Sequence, residues 1–379
     1  MTARLAHVDG LKAGLVAWII GGHALLGYSA VGGWPYDEVN EVTFQPAVEA
    51  VLAALIGPSG LFVIGVLFFL AGLFTPAALA RAGRAAYLRG RLVRLGVPFA
   101  VSALLVWPLS VWVAYRAAGW EVSPWWVFAH RDPPLDSGSL WFAAVLLLFS
   151  AVYALLPHRT HATRATRAAR PLGARHLVAL AAAIAATTFL VRLAFPARSG
   201  QPGDLHLWQW PQCAAMFAFG TIAARHGWAS AIPDPVHRVC GLFACTALVV
   251  VPAAGLLAGL GELDSASRPY LGGWSVPAAA LAVAEAVLVV AGAIVLLGAA
   301  QRRITGNSEF RHRVSDAAFA AFVIQGPVLM LLASALRPLP TPAEVKAPVV
   351  GLLAVAVCFG VGAFARRPSG SGSKVPSAG

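Results

Sequence analysis

Residues 55–76 read LIGPSGLFVIGVLFFLAGLFTP, and residues 80–99 read ARAGRAAYLRGRLVRLGVPF. The first stretch is an apolar run of the roughly 20 residues needed to cross the hydrocarbon core of a bilayer. It leads into Arg81, Arg84, Arg89, Arg91 and Arg94, and a second apolar run then begins near residue 93. Apolar run, arginine cluster, apolar run is the pattern of a helical membrane protein with a basic turn between two spans. Moving outward in both directions, comparable windows lie near 11–31, 93–115, 139–157, 177–196, 205–224, 239–260, 275–299, 315–336 and 347–365, which makes ten in all. The window at 11–31 has polar residues upstream and no small-residue cleavage site, so it is expected to be a retained span and not a signal peptide.

Composition supports the same class. Of 379 residues only 12% are charged and 59% are hydrophobic, and the mean hydropathy is +0.73. A soluble surface needs about twice that charge. A disordered chain carries far less apolar mass, and the heptads of a coiled coil or the glycine period of collagen are lacking. The net charge of +12 sits in short segments between apolar runs, so it implies anionic lipid head groups and membrane topology, not nucleic acid. Cys213, Cys240, Cys245 and Cys358 show neither CxxC nor metal-ligand spacing and read as small packing residues. No internal repeat is clear.

Orientation follows from alternate loops. The N-terminus, the loops 77–94, 158–176, 225–238 and 300–314, and the tail together hold 21 of the 28 Lys and Arg, and the opposite loops hold 6. That asymmetry predicts both termini on the cytoplasmic side. The first external loop, residues 32–50, is acidic and free of Lys and Arg, and it reads as a short amphipathic segment or lid. The expected layout is an all-α polytopic membrane domain of about ten spans over residues 1–366, with a disordered cytoplasmic tail at 367–379.

Ionisable side chains within such spans cost several kcal/mol and mark candidate sites. The richest window is HVDGLKAGLVAWIIGGHALLG, residues 7–27. At 100° per residue, His23 falls only about 20° from Lys12 and about 40° from Asp9, so the three share one helix stripe. The axial rise from Lys12 to His23 is about 16 Å, which puts Lys12 at the rim and His23 near the midplane. A cation at the rim suits an anionic handle, and an imidazole at depth suits acid–base or nucleophilic work. The plainer readings are a topology-setting Lys12 and a hydrogen-bonded packing histidine.

The arginines after the second window have two readings: positive-inside topology, which suffices for most such clusters, or phosphate binding, since guanidinium forks match phosphate oxygens. Glu285 lies near the middle of its span and needs a partner, His23 or an arginine. Arg192 lies toward the external end of its span and is expected to snorkel. Gln212 and Gln325 are uncharged and read as interhelical glue. Asp316 reads as a charge at a helix start. Trp141 belongs to a set of tryptophans clustered at external ends, as in an aromatic belt. The sequence lacks a Walker A loop, an HExxH or Cys/His metal cluster and a GxSxG elbow, so no ATP-driven pump, catalytic metal or serine hydrolase is expected.

With these residues in view, the chain resembles the acyltransferase 3 family of bacterial membrane O-acyltransferases from about residue 4 to 366. RLAHVDGLKAGLVAWIIGGHA is similar to the first-helix signature, with Lys12 where the family usually has Arg. VLFFLAGLFTPAAL with RGRLVRLGVPF is similar to the second-helix signature and its basic stretch, and SLWFAAVLLLFSAVYAL to a Leu-Trp-Phe segment. TTFLVRLAFP and WPQCAAMFAFGTIAARHGW resemble a branch of glucan-modifying members. VSDAAFAAFVIQGPVLM fits a late Ser…Tyr…His-x-Pro helix, with Phe for Tyr and Gln325 for His.

The resemblance implies a bacterial plasma-membrane enzyme that moves a short acyl group from cytoplasmic acyl-CoA to a hydroxyl of a carbohydrate or small natural product, with no permanently bound cofactor. It implies His23 as the essential histidine, Arg91 and Arg94 as the basic residues after the second helix and Lys12 at the basic position of the first. Lys12, Arg89, Arg91 and Arg94 are expected to lie near the donor's phosphates. Asp9 and Glu285 are the expected orienting carboxylates. Trp141, Arg192, Gln212 and Gln325 are the candidates to meet the acceptor. His23 is expected to take the acceptor's proton or to carry the acyl group itself. The competing class is a proton-coupled exporter using the same polar track.

Overall fold

A computed structural model describes residues 6–30, 32–157, 171–257, 268–304 and 308–365. It is helical, with no strand among the described residues. The helices are α1 (Ala6–Leu26), α2 (Pro46–Gly60), α3 (Val63–Ala82), α4 (Arg84–Ala117), α5 (Pro124–His130) and α6 (Trp141–Leu155). They continue as α7 (Ala174–Ala194), α8 (Trp210–His226), α9 (Asp234–Leu257), α10 (Val276–Arg303), α11 (Glu309–Leu336) and α12 (Ala343–Phe364).

Among the described residues, eight helical stretches are long and apolar enough to cross a membrane: Pro46–Ala82, Arg84–Ala117, Gly138–Leu155, Ala174–Ala194, Asp234–Ala253, Val276–Arg303, Glu309–Leu336 and Ala343–Phe364. The other two expected windows hold α1, which carries Asp9, Lys12 and His23, and α8, which is 17 residues long. The expected tail at 367–379 and the stretch 158–170 of the basic loop lie outside the described residues.

Two features of the helices follow directly from sequence. In α4, π-helical turns at Leu92–Gly96 and Ser102–Val106 each end two residues before a proline, Pro98 and Pro108. Proline lacks the N–H that would continue the ladder, and a widened turn absorbs the mismatch. The crossing of α3 and α8 depends on Gly72 and Gly220. A β-carbon on Gly72 would lie 2.2 Å from the carbonyl oxygen of Phe217, and one on Gly220 would lie 2.2 Å from that of Phe69. With no hydrophobic drive between helices in lipid, such backbone approach is what small residues supply.

The bundle has two chemically different ends. At one, His7 of α1 meets the carbonyl of Ala229, and Gln301 of α10 bonds the same carbonyl, so the start of α1, the end of α10 and the α8–α9 turn gather together. The basic termini of α8 and α10 lie here. At the other end the loops 27–45, 118–140 and 195–209 converge over the last turn of α1. Tyr36 donates to the carbonyl of Ala333 on α11 at 3.1 Å, Lys346 of α12 bonds Glu41, and Arg337 bonds the carbonyl of Val39. The first loop, expected to be a short amphipathic segment or lid, holds a short 3₁₀ turn (Pro35–Glu38) pinned to α11 and α12, and the last residues of the expected stretch, 46–50, open α2.

Candidate active site

His23 stands in the last turn of α1. Its Nδ1 lies 3.0 Å from Oε1 of Gln325 on α11. An amide oxygen only accepts, so Nδ1 carries the proton and Nε2 keeps its lone pair. Gln325 is fully buried, which fixes the acceptor in place. Trp34, from the first loop, stacks on the imidazole with ring centres 4.2 Å apart and planes 15° from parallel. Trp34 in turn meets Trp107 of α4 edge-on at 5.3 Å.

A charged lattice holds these aromatics. Trp107 donates its Nε1–H to Asp136 at 2.7 Å, and Asp136 also accepts from the backbone N–H of Gly138 at 2.7 Å. Arg131 bridges two acids, donating to Asp136 at 3.1 Å and to Glu38 at 3.1 Å. Burial alone would lower the pKa of Arg131, yet the carboxylates of Glu38 and Asp136 leave it raised. Tyr115 donates to Glu38 as well.

Around this lattice opens a cavity of about 330 Å³, lined among others by His23, Trp34, Asp37, Trp141, Asp204 and His206. His206 enters from the loop before α8, and its ring stacks on Trp141 at 4.6 Å. Burial pushes the Asp204 carboxyl above the usual carboxylate range; neighbouring His206 opposes this and Asp136 reinforces it. Asp37 is pushed up in the same direction, again chiefly by burial.

The expected site residues divide into three groups. His23, Gln325 and Trp141 come together at the cavity. Glu285 and Arg192 meet each other instead: Arg192 of α7 donates to Glu285 of α10 at 2.7 Å, and both are buried. Of the two partners expected for Glu285, His23 or an arginine, it has the arginine; what is corrected is the snorkelling of Arg192 and an orienting role of Glu285 at His23. Arg192 does not snorkel, because a carboxylate within the bundle compensates its charge. Glu285 does not orient His23; the neutral amide of Gln325 does. The pair still bears on the cavity wall, since the Arg192 guanidinium lies 5.3 Å over the ring of Trp208, which is 5.7 Å from His206. Gln212 is buried near Gly65 of α3 and does not line the cavity.

The third group lies away from the cavity. Asp9 and Lys12 form an i,i+3 ion pair at 3.8 Å, lower on α1. Arg91 bonds the Tyr87 hydroxyl at 3.1 Å and lies 5.2 Å over its ring, while Arg89 and Arg94 are exposed on α4. None of the five lines the cavity around His23. Sequence reading took Trp107 for one of the belt tryptophans and passed over Trp34, Arg131, Asp136, Asp204 and His206. All but Trp107 are loop residues, and their convergence depends on how three loops close over one helix end. Among the described residues, no group of His, Cys, Asp and Glu is arranged to hold a metal ion.

A histidine with one nitrogen fixed and the other free, at the wall of an aromatic cavity inside a helical membrane bundle, has the elements of group transfer. The sequence matches the acyltransferase domain over residues 5–365. The chain belongs to the acyltransferase 3 family. Comparisons with curated proteins and with solved structures returned no match. The acyltransferase domain therefore takes in α1 to α12, and both ends of the bundle described above belong to it.

Proposed function

We propose that this membrane acyltransferase moves a short acyl group from acyl-CoA, bound at the basic end, to a hydroxyl of a carbohydrate or similar polyol held in the His23 cavity. The observation that carries the reading is the His23–Gln325 contact at 3.0 Å, which leaves Nε2 as the reactive lone pair in a cavity of about 330 Å³. Trp34, Trp107 and Trp141 offer flat apolar faces, and Arg131, Asp37 and Asp204 offer charged partners for hydroxyls. A few polar groups in an aromatic hollow are what a small polar ring needs for binding in one orientation.

Lys12, Arg89, Arg91 and Arg94 are the residues to hold the donor's phosphates, and Asp9 steadies the Lys12 ammonium. Lys12 is about 16 Å along α1 from His23, so the donor's arm must run along the helix for the thioester to reach the imidazole. The resemblance to glucan-modifying members favours a cell-envelope saccharide as acceptor and the bacterial plasma membrane as the location.

The test is acetyl-CoA turnover by purified protein in detergent, followed by release of free thiol. The wild-type chain should release CoA, and His23→Ala should reduce the rate by about 10²-fold or more while leaving the melting transition in place. Normal turnover by a folded His23→Ala variant would refute the assignment. No thiol release from the wild type, with proton-coupled solute movement in vesicles, would identify an exporter instead.

A further inference from the structure

Resting on that reading, we infer that His206 is a second catalytic base, which takes the proton of the acceptor hydroxyl while His23 carries the acyl group. Both imidazoles line the same cavity, yet they come from different elements, α1 and the loop before α8. His206 Nδ1 lies 2.7 Å from the backbone carbonyl oxygen of Asp204. A carbonyl accepts only, so Nδ1 bears the proton and Nε2 is basic. The Asp204 carboxylate is 3.7 Å from the same nitrogen, positioned to stabilise the imidazolium that forms when Nε2 gains a proton. This is the orienting role a carboxylate plays behind a catalytic histidine.

The loop is shaped to present this ring. His206 has φ 51° and Asp204 has φ 47°, left-handed conformations that residues with a β-carbon seldom adopt and that gather at functional sites. Gln201 accepts the N–H of Leu207 at 3.1 Å. Trp141 covers one face of the ring, and Trp208, over the Arg192–Glu285 pair, stands beside it.

The chemistry calls for such a group. In the first step His23 Nε2 attacks the thioester carbonyl carbon, and the carbon–sulfur bond breaks to release the CoA thiolate. The Nδ1 proton stays on His23 and is donated to the amide oxygen of Gln325. His23 then has no lone pair with which to accept a proton. In the second step the acceptor oxygen attacks the acyl carbon, its proton passes to His206 Nε2, and the carbon–nitrogen bond electrons return to His23. The imidazolium of His206 gives its proton to the thiolate, directly or relayed through water, so the sum is thioester plus alcohol giving ester plus thiol. Of the other groups facing the cavity, Glu38 and Asp136 are engaged by Arg131 and Asp37 accepts from the N–H of Gly33. Imidazole is also the side-chain type best matched to proton transfer near neutrality.

The experiment uses the full chain in detergent with radiolabelled acetyl-CoA as donor and methyl β-D-glucopyranoside, then water, as the hydroxyl probe. His206→Gln should keep the first burst of CoA release within about twofold of wild type, since a burst isolates the first step. Ester formation and steady turnover should fall by about 10²-fold, with label accumulating on the protein. His206→Ala should regain ester formation when free imidazole is added, which a merely structural role would not allow. Ester formation by His206→Gln within about threefold of wild type would overturn the inference. So would joint loss of burst and ester without rescue by imidazole, or a wild type that forms ester without labelled protein or acylates neither hydroxyl. Retention of ester formation by His23→Ala would instead refute the underlying role of His23.

Discussion

His23 is held by an amide, not by an acid. A carboxylate behind an imidazole fixes the ring and also adds a negative charge; Gln325 fixes the ring alone. Gln325→Leu removes the acceptor for Nδ1–H and leaves the ring free to turn within its place against Trp34. Acyl transfer should fall by about 10- to 100-fold, as misplacement of a reacting group typically costs, with little change in thermal stability. Rates equal to wild type would show that the contact does not orient the ring. Of this residue-scale picture, the sequence made His23 visible because an ionisable group in an apolar helix is expensive and therefore conspicuous. It placed Gln325 and Trp141 near the chemistry through a resemblance. It could not pair Glu285 with Arg192, because 93 residues separate them and helix periodicity fixes directions only within one helix.

At the scale of elements, the first loop reaches the site only because it is fastened from outside it. Glu41 is the fastening point: Lys346 bonds it, Arg337 lies 3.5 Å away, and the Tyr36 hydroxyl, whose proton it shares with the Ala333 carbonyl, lies 2.9 Å from it. Lys346 is almost wholly buried. Lys346→Met leaves Glu41 short of its closest cation and should lower stability by on the order of 3 kcal/mol, read as a drop in the melting transition in detergent. The double variant Lys346→Met with Glu41→Leu should recover part of that loss, because the stranded charge is then gone as well. Additive losses would mean the two side chains do not act together. Hydrophobic windows predicted helices at all ten places because the bilayer imposes length and apolarity on each span separately. Loops are under no such rule. The acidic stretch at 32–50 could be read as a lid, but its attachment by Glu41, Tyr36 and Val39 to helices some 300 residues later could not.

For the whole molecule, the unequal chemistry of the two ends predicts how it sits in the bilayer. Basic helix ends face the cytoplasm on the charge rule, and the cavity loops face the opposite side. With the native cysteines replaced, Ala85→Cys should react with a membrane-impermeant maleimide only after the cells are opened, and Glu121→Cys should react in intact cells. The reverse pattern would invert the orientation and with it the proposed donor and acceptor sides. The offset of Lys12 from His23 along α1, about 16 Å, then has a meaning beyond positioning. A nucleotide thioester too polar to enter lipid would remain among the arginines where it docked, and a saccharide would wait behind the tryptophans. Only two or three carbon atoms would make the crossing, so the reaction itself would serve as the gate through which acetyl leaves the cell.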